Sequence, residues 1–475
     1  MKKKSLLCYL FAAALVACSL TSCGGSDDDN SPENTQPSGS TTGGSTTGGS
    51  TTGGGTTTGD NTTPEPVKRN PYAPEVTSAG TWPAAEITLD NAVSPAEVCA
   101  AMGMGWNLGN HFDAYNNGVS AEDAWIKGQK CTQATMNAIA AAGVKTVRIP
   151  VTWMGHIGAA PDYKLEEAWL NRVAEVVGYC ENAGLNAIVN IHHDGADAKF
   201  WLNIKQCGSN TAIQKKTVEK LSKMWTQIAE KFKDKGNFLI FECLNEIQDG
   251  KWGWGDNRND GGKQYKALNE WLQAIVDAIR ATGGKNATRW IGIPAYNTDI
   301  DLCEHLVLPE DPAKRLMVAV HYYAPYKYTL EVQYSKWGQK APNQKDPESG
   351  DEGACRTQMK KMYDRYVSKG IPAYVGEMGN CNRGNDIENN YRAYYFEYVA
   401  KCMNNNLLAP ILWDNGVADK NKDGSYKECH GYFNHGTGEW MNSSSERMIQ
   451  VLVKAVTDRS ADYTLESIAA KAPNN

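Results

Sequence analysis

The 475-residue chain carries 48 Lys and Arg against 54 Asp and Glu, and a net charge of −6 offers no basic surface for nucleic acid. A mean hydropathy of −0.51 excludes a polytopic membrane protein. Residues 24–70 hold one aliphatic side chain, Val67, and cannot bury a core; the remainder carries all 14 Trp and is ample for one.

In chain order, Lys2, Lys3 and Lys4 precede an apolar run from Leu6 to Leu20, too short to span a bilayer and of signal-peptide length. The run ends Leu20-Thr21-Ser22-Cys23, which resembles a bacterial lipobox, so residues 1–22 are expected to be a signal peptide and Cys23 the acylated first residue. Asp27-Asp28-Asp29 behind it resembles the surface-export signal of Bacteroidetes lipoproteins. Residues 40–59 repeat Ser-Thr-Thr-Gly-Gly, and residues 23–80 read as a flexible, disordered linker with a reach of ~40 Å. The expected location is a lipid anchor in the bacterial outer membrane, facing the cell surface, with no spanning segment. Cys8, Cys18 and Cys23 belong to the leader. The other ten cysteines could form disulfides in an oxidising compartment, but sequence does not give their pairing.

From residue 100 onward, short apolar runs alternate with helical patterns. The runs are Met102–Leu108, Lys145–Trp153, Asn186–Ile191, Phe238–Leu244, Trp290–Pro294, Leu316–Tyr322, Pro372–Gly376 and Ala409–Trp413. Continuous apolar runs suit parallel strands covered on both faces. Between them, Glu166–Ala183 places Leu170, Val173, Val177 and Cys180 on one helical stripe, and Val218–Lys233 does the same with Leu221, Trp225, Ile228 and Phe232. Gly184 and Gly370 stand where helices should stop. Eight such units predict a (β/α)8 TIM barrel over residues 81–475. The glycine cluster Gly103–Gly109 fails the dinucleotide pattern, because Trp106-Asn107 crowds the turn.

Barrel chemistry sits at the carboxyl ends of strands. The fourth run leads into Asn245-Glu246 and the seventh into Gly376-Glu377. A carboxylate closing a buried strand is costly unless it faces a cleft, and two opposed carboxylates are the minimal kit for glycoside hydrolysis. Arg148, inside the second run, needs an anion, for which Glu377 is the natural partner; that pairing is expected to hold the Glu377 pKa low. The other ends offer His192-His193-Asp194, His321-Tyr322-Tyr323 and Trp413-Asp414-Asn415-Gly416. His and Asn can hold sugar hydroxyls, and a Trp face stacks on a pyranose.

Gly105-Trp106-Asn107-Leu108-Gly109-Asn110, Val147-Arg148-Ile149-Pro150, Ile191-His192-His193-Asp194, Leu244-Asn245-Glu246, His321-Tyr322-Tyr323, Gly376-Glu377 and Trp413-Asp414-Asn415-Gly416 together resemble glycoside hydrolase family 5 in order and spacing, across residues 97–457. The resemblance implies a retaining endo-acting β-glycanase, most like the bacterial endo-β-1,4-glucanases. It implies Glu246 as general acid/base and Glu377 as nucleophile. Asn245 would bind the 2-hydroxyl beside the scissile bond, and Arg148 and Tyr323 would hold Glu377. Asn107, His192 and His321 would belong to the substrate site, with His193 a sugar contact and Trp413 a sugar floor. Such cellulases often carry Pro after this Glu; here Ile247 stands there. The chemistry needs no metal or organic cofactor, the partner is a polysaccharide, and a self-contained barrel on a tether suits a monomer.

Other readings compete. Asp419-Lys420-Asn421-Lys422-Asp423-Gly424 opens like a calcium loop, but His430 occupies the position of the closing Glu, so a polar turn is the better expectation. No His-Glu-x-x-His or Gly-x-Ser-x-Gly motif occurs. A tethered lipoprotein that binds glycan without cutting it is the alternative from another class; opposed carboxylates favour the enzyme. Within enzymes, β-1,4-glucan leads, with β-mannan and xyloglucan behind it. The insertions at 252–262, which carry Trp252 and Trp254, and at 326–351 are expected to line the cleft.

Overall fold

All eight apolar runs are strands of one closed, parallel barrel: β1 (Gly105–Asn107), β2 (Thr146–Ile149), β3 (Asn186–Asn190), β4 (Leu239–Glu242), β5 (Ile291–Pro294), β6 (Leu316–Tyr322), β7 (Ala373–Met378) and β8 (Leu408–Leu412). Each strand pairs with its sequence neighbours, and β1 closes the ring against β8. The computed structural model describes residues 79–475 except 198, 348 and 349; Cys23, the leader and the repeat linker lie outside the described residues.

Apolar side chains fill two separate cores. One lies between sheet and helices. The other fills the barrel itself, where Ile188, Ile240, Met317, Tyr374, Ala409 and Ile411 meet Val98, Cys99 and Met102 of a helix over Pro95–Met102. That helix, capped by a Ser94–Glu97 box, plugs the amino-terminal mouth, so the inward-facing polar residues crowd toward the other end.

The helical stripes hold with shifted ends. Glu167–Asn182 buries Val173, Val177 and Cys180, and Leu170 only in part. The second helix starts at Thr211, seven residues before the predicted Val218, because the Asn210 side chain accepts from the amides of Ala212 and Ile213 and starts the helix there. Gly184 and Gly370 adopt φ of 71° and 78°, the left-handed stop expected of them. The ten cysteines are all buried free thiols, so none pairs in the structure.

Two details place the site. β7 runs two residues past the predicted Gly376, so Glu377 lies within the strand, whereas β4 ends at Glu242 and Glu246 stands on the loop beyond it. A register shift between Val320 and His321 sets His321 opposite Glu377 on the neighbouring strand.

Candidate active site

The site rests on Arg148. Its side chain is fully buried, and all its nitrogens bond to protein. Nε donates to both Glu242 oxygens at 3.1 Å, and one terminal nitrogen donates to Glu242 at 2.6 Å and to Asn245 at 2.8 Å. The other donates to Glu377 at 2.8 Å and to Asn107 at 3.1 Å. The expected Arg148–Glu377 pair is therefore present, but Arg148 is shared with a second carboxylate. Glu242 also accepts from Asn190 at 2.8 Å and from the Tyr374 hydroxyl at 2.6 Å. Burial would raise its pKa, yet Arg148 and Tyr374 bring it below the ordinary value, so Glu242 is a fixed anion.

Above this layer stand Glu246 and Glu377. An oxygen of each and a nitrogen of His321 all lie within 4.8 Å of one another. His321 Nδ1 is 2.7 Å from Glu246 Oε1 and 3.7 Å from Glu377 Oε2, and the Tyr323 hydroxyl donates to Glu377 at 3.1 Å. Burial holds the His321 pKa down at about 4, so at neutral pH the ring adds no charge. Burial pushes Glu246 up to about 7, with Glu242 adding to the rise and Arg148 opposing it. Glu377 departs from expectation: its pKa is raised, not lowered. Burial outweighs His321, which is charged only well below neutral pH, and Arg148, whose charge is divided with Glu242, while Glu246 adds a like charge. Geometry still separates the two: Glu377 has a guanidinium hydrogen bond and Glu246 has none.

Around the pair, the predicted residues divide into cleft and support. Asn107 is fully buried and its amide donates to the carbonyls of Gly376 and Leu412 at 2.9 and 3.2 Å, so it braces β1, β7 and β8 and does not reach a sugar. Arg148 and His192 are likewise sealed behind the carboxylates; His192 Nδ1 lies 3.1 Å from the Asn190 amide and its ring lies parallel to Trp413. Asn245 gives its oxygen to Arg148, which leaves its amide N–H groups for a hydroxyl at the cleft. His193 faces the cleft, with Nε2 at 3.8 Å from Asp113, a buried carboxyl that burial pushes up to about 7. Trp413 is half-buried and lies close over Gly109: a Cβ there would sit 2.9 Å from its ring and 2.7 Å from the Asp414 carbonyl.

The model of the cellulase family, glycosyl hydrolase family 5, matches residues 109–419. Endoglucanase A of Paenibacillus barcinonensis is 36% identical over 344 residues, 68% of this chain and 83% of that protein. The solved structure of a broad-specificity GH5-4 endoglucanase from Bacteroides salanitronis is 48% identical, with a TM-score of 0.74 over 80% of this chain and 99% of that one. The chain belongs to glycosyl hydrolase family 5. The xyloglucan-specific endo-β-1,4-glucanase of Bacteroides ovatus is a further relative, 31% identical over 355 residues, 70% of this chain and 67% of that protein.

For a family 5 chain, Ile247 in place of Pro has a structural reason. Its N–H donates to the Asn245 carbonyl at 3.0 Å, a bond proline lacks, and its side chain is buried. The loop that follows carries Trp252, 39% exposed, and Trp254, 77% exposed, with the Arg258 guanidinium 4.1 Å from the Trp254 ring centre. The Asp419–Asp423 segment is a turn: the Asn421 amide donates to the Lys427 carbonyl at 2.7 Å and Asp423 accepts from the Ser425 amide. His430 is buried beside Cys381 at 3.4 Å.

Sequence reading missed Glu242, Asp113 and an aromatic wall beyond His193, where Tyr115 packs on Trp125 and Phe200 with ring centres 5.2 and 5.4 Å apart. Glu242 carried a signal: it is a charge inside a buried run, as Arg148 is. Asp113 and Tyr115 follow β1 on a loop with no periodic pattern to mark them.

Proposed function

We propose that this glycoside hydrolase is a retaining endo-β-1,4-glucanase with Glu246 as general acid/base and Glu377 as nucleophile. The observation that carries this is that one oxygen of each carboxyl lies within 4.8 Å of one of the other, which suits the ~5–5.5 Å separation of double displacement better than the ~6.5–9.5 Å of inversion. Protonated Glu246 donates to the glycosidic oxygen while Glu377, oriented by Arg148 and Tyr323, attacks the anomeric carbon. The leaving chain takes the proton. Glu246, now a carboxylate, then draws a proton from the water that opens the glycosyl-enzyme, and the configuration is kept.

The test is release of reducing ends from carboxymethylcellulose, with proton NMR of the first product formed from a cello-oligosaccharide. The β-anomer is expected; an initial α-anomer would exclude the mechanism. Binding without release, unchanged in Glu246→Gln, would select a glycan-binding lipoprotein instead.

A pH profile follows from the two carboxyls. Activity needs Glu377 ionised and Glu246 protonated, so kcat/KM should rise as Glu377 deprotonates and fall as pH passes about 7, the Glu246 value. A plateau extending past pH 9 would refute Glu246 as the acid.

Kinship with endoglucanases favours β-1,4-glucan, and the relative that acts on xyloglucan supports that polymer as a second substrate. Initial rates on carboxymethylcellulose, mixed-linkage β-glucan, xyloglucan and β-mannan, measured side by side, rank them. Trp252 and Trp254 extend from the strand end that carries Glu246, which suits a platform for the departing chain. Trp254→Ala should raise KM for polymer about fivefold or more, the scale of one lost aromatic stack, and leave hydrolysis of an aryl cellobioside unchanged. Equal effects on both would place Trp254 elsewhere. We also read the protein as a monomer held by a lipid on Cys23 at the outer surface of a bacterium, which the lipobox and repeat linker support; Cys23→Ser should release it from the membrane fraction.

A further inference from the structure

A third carboxylate reaches the same cleft. Glu428 lies in the loop after β8, its carboxylate 3.8 Å from His430 Nε2; the His430 ring lies 6.3 Å from that of Tyr323, whose hydroxyl donates to Glu377 at 3.1 Å. Its backbone has φ of 56°, a left-handed conformation that costs a side chain with a Cβ and that glycine adopts freely. The loop holds it there from two sides: the Glu428 amide donates to the Leu330 carbonyl at 3.3 Å, and the Asn415 amide donates to the Glu428 carbonyl at 2.7 Å. Asn415 also accepts from the His430 amide, so the Trp-Asp-Asn-Gly motif at the end of β8 positions this residue as well as Trp413.

Among the described residues the carboxylate accepts no hydrogen bond; its near neighbour, His430 Nε2, is beyond hydrogen-bond distance. Lys427, one residue away, pairs with Glu331 at 2.7 Å, and the Tyr326 hydroxyl donates to that same Glu331. His430 Nε2 stands 3.8 Å off, and burial holds its pKa down at about 3, so it brings no charge. Burial, joined by the like charges of Glu331, Glu246 and Glu377 and opposed by Lys427, pushes Glu428 up to about 7. A partly exposed carboxylate, strained at its backbone and without a donor among the described residues, matches a place that sugar hydroxyls fill.

We propose that Glu428 is a substrate-binding residue of this site, accepting a hydrogen bond from a hydroxyl of the bound glucan, and that the loop keeps it left-handed for that purpose. This rests on the glucanase reading above. Glu428→Gly separates function from fold, since glycine removes the carboxylate and suits the φ. The variant should melt at or above the wild-type temperature, while KM for cello-oligosaccharides rises about tenfold, the loss of one hydrogen bond to a charged group, with kcat changed less. Glu428→Gln keeps an acceptor and should recover part of the KM. In both variants the alkaline limb of kcat/KM should move to lower pH, because a negative charge near Glu246 is gone and its deprotonation becomes easier. KM within twofold of wild type in both variants would overturn the assignment, as would a KM rise in Glu428→Gly matched by a lowered melting temperature. Failure of the wild-type protein to cut any β-glucan would overturn the glucanase reading instead.

Discussion

Glu377→Ala is expected to lower kcat on β-glucan by about 10⁴-fold or more while leaving the protein folded. The size of the loss follows from the role proposed for it: without the nucleophile no glycosyl-enzyme forms, and the two-step route is closed. The fold survives because Arg148 keeps its bonds to Glu242 when Glu377 goes, so no buried cation is stranded. Its raised pKa shows that burial already works against its charge, which also argues for a small effect on stability. Added azide should restore turnover on an aryl cellobioside and yield the α-glycosyl azide, since the small anion enters the space the carboxylate left. Glu246→Ala differs in kind. It should lose ~10²–10⁴-fold on glucan, whose leaving group needs a proton, and far less in forming the intermediate from an activated aryl glycoside. Identical behaviour of the two variants would refute the division of roles.

Arg148→Met should destabilise the protein by about 3–5 kcal/mol, read from denaturant midpoints, because it leaves Glu242 buried without its cation. The pH dependence carries the sign. In the wild type the folded pKa of Glu242 is below its ordinary 4.5, so its contribution to stability is full above that value and fades as pH falls through the folded pKa. In Arg148→Met the buried carboxyls titrate above 4.5, so acidification toward pH 5 should stabilise the variant relative to itself at pH 8. Arg148→Met combined with Glu242→Leu removes both charges and should recover much of the stability, as apolar replacement of buried pairs does. Activity should not return, because Glu377 still lacks its guanidinium. A double variant no more stable than Arg148→Met would show that the pair is not the unit.

The eight strands were legible because each is covered on both faces, so burial writes a continuous apolar run that needs no knowledge of neighbours. Glu246 and Glu377 stood out for the same reason, as charges closing such runs. Glu242 did not, because a run was judged by its ends while the inward alternation within the strand decides which residue faces the barrel axis. Asn107 stood in a recognisable motif, yet its contacts are with carbonyls of β7 and β8, about 270 to 300 residues away in sequence. The start of the helix at Thr211 was missed because a single capping side chain, not the apolar stripe, sets it.

Local order was thus settled along the chain itself: strand and helix spans, the glycine stops and the two carboxyls proposed to react stand out through periodicity and the cost of burying charge. What tertiary structure alone decided is how charge is shared. Whether Arg148 serves one carboxylate or two, whether Glu377 ends above or below its ordinary pKa, and whether Glu428 finds a partner depend on distances between residues from different strands and loops. Coulombic and desolvation energies fall steeply with separation and exposure, and neither quantity exists until the ring has closed.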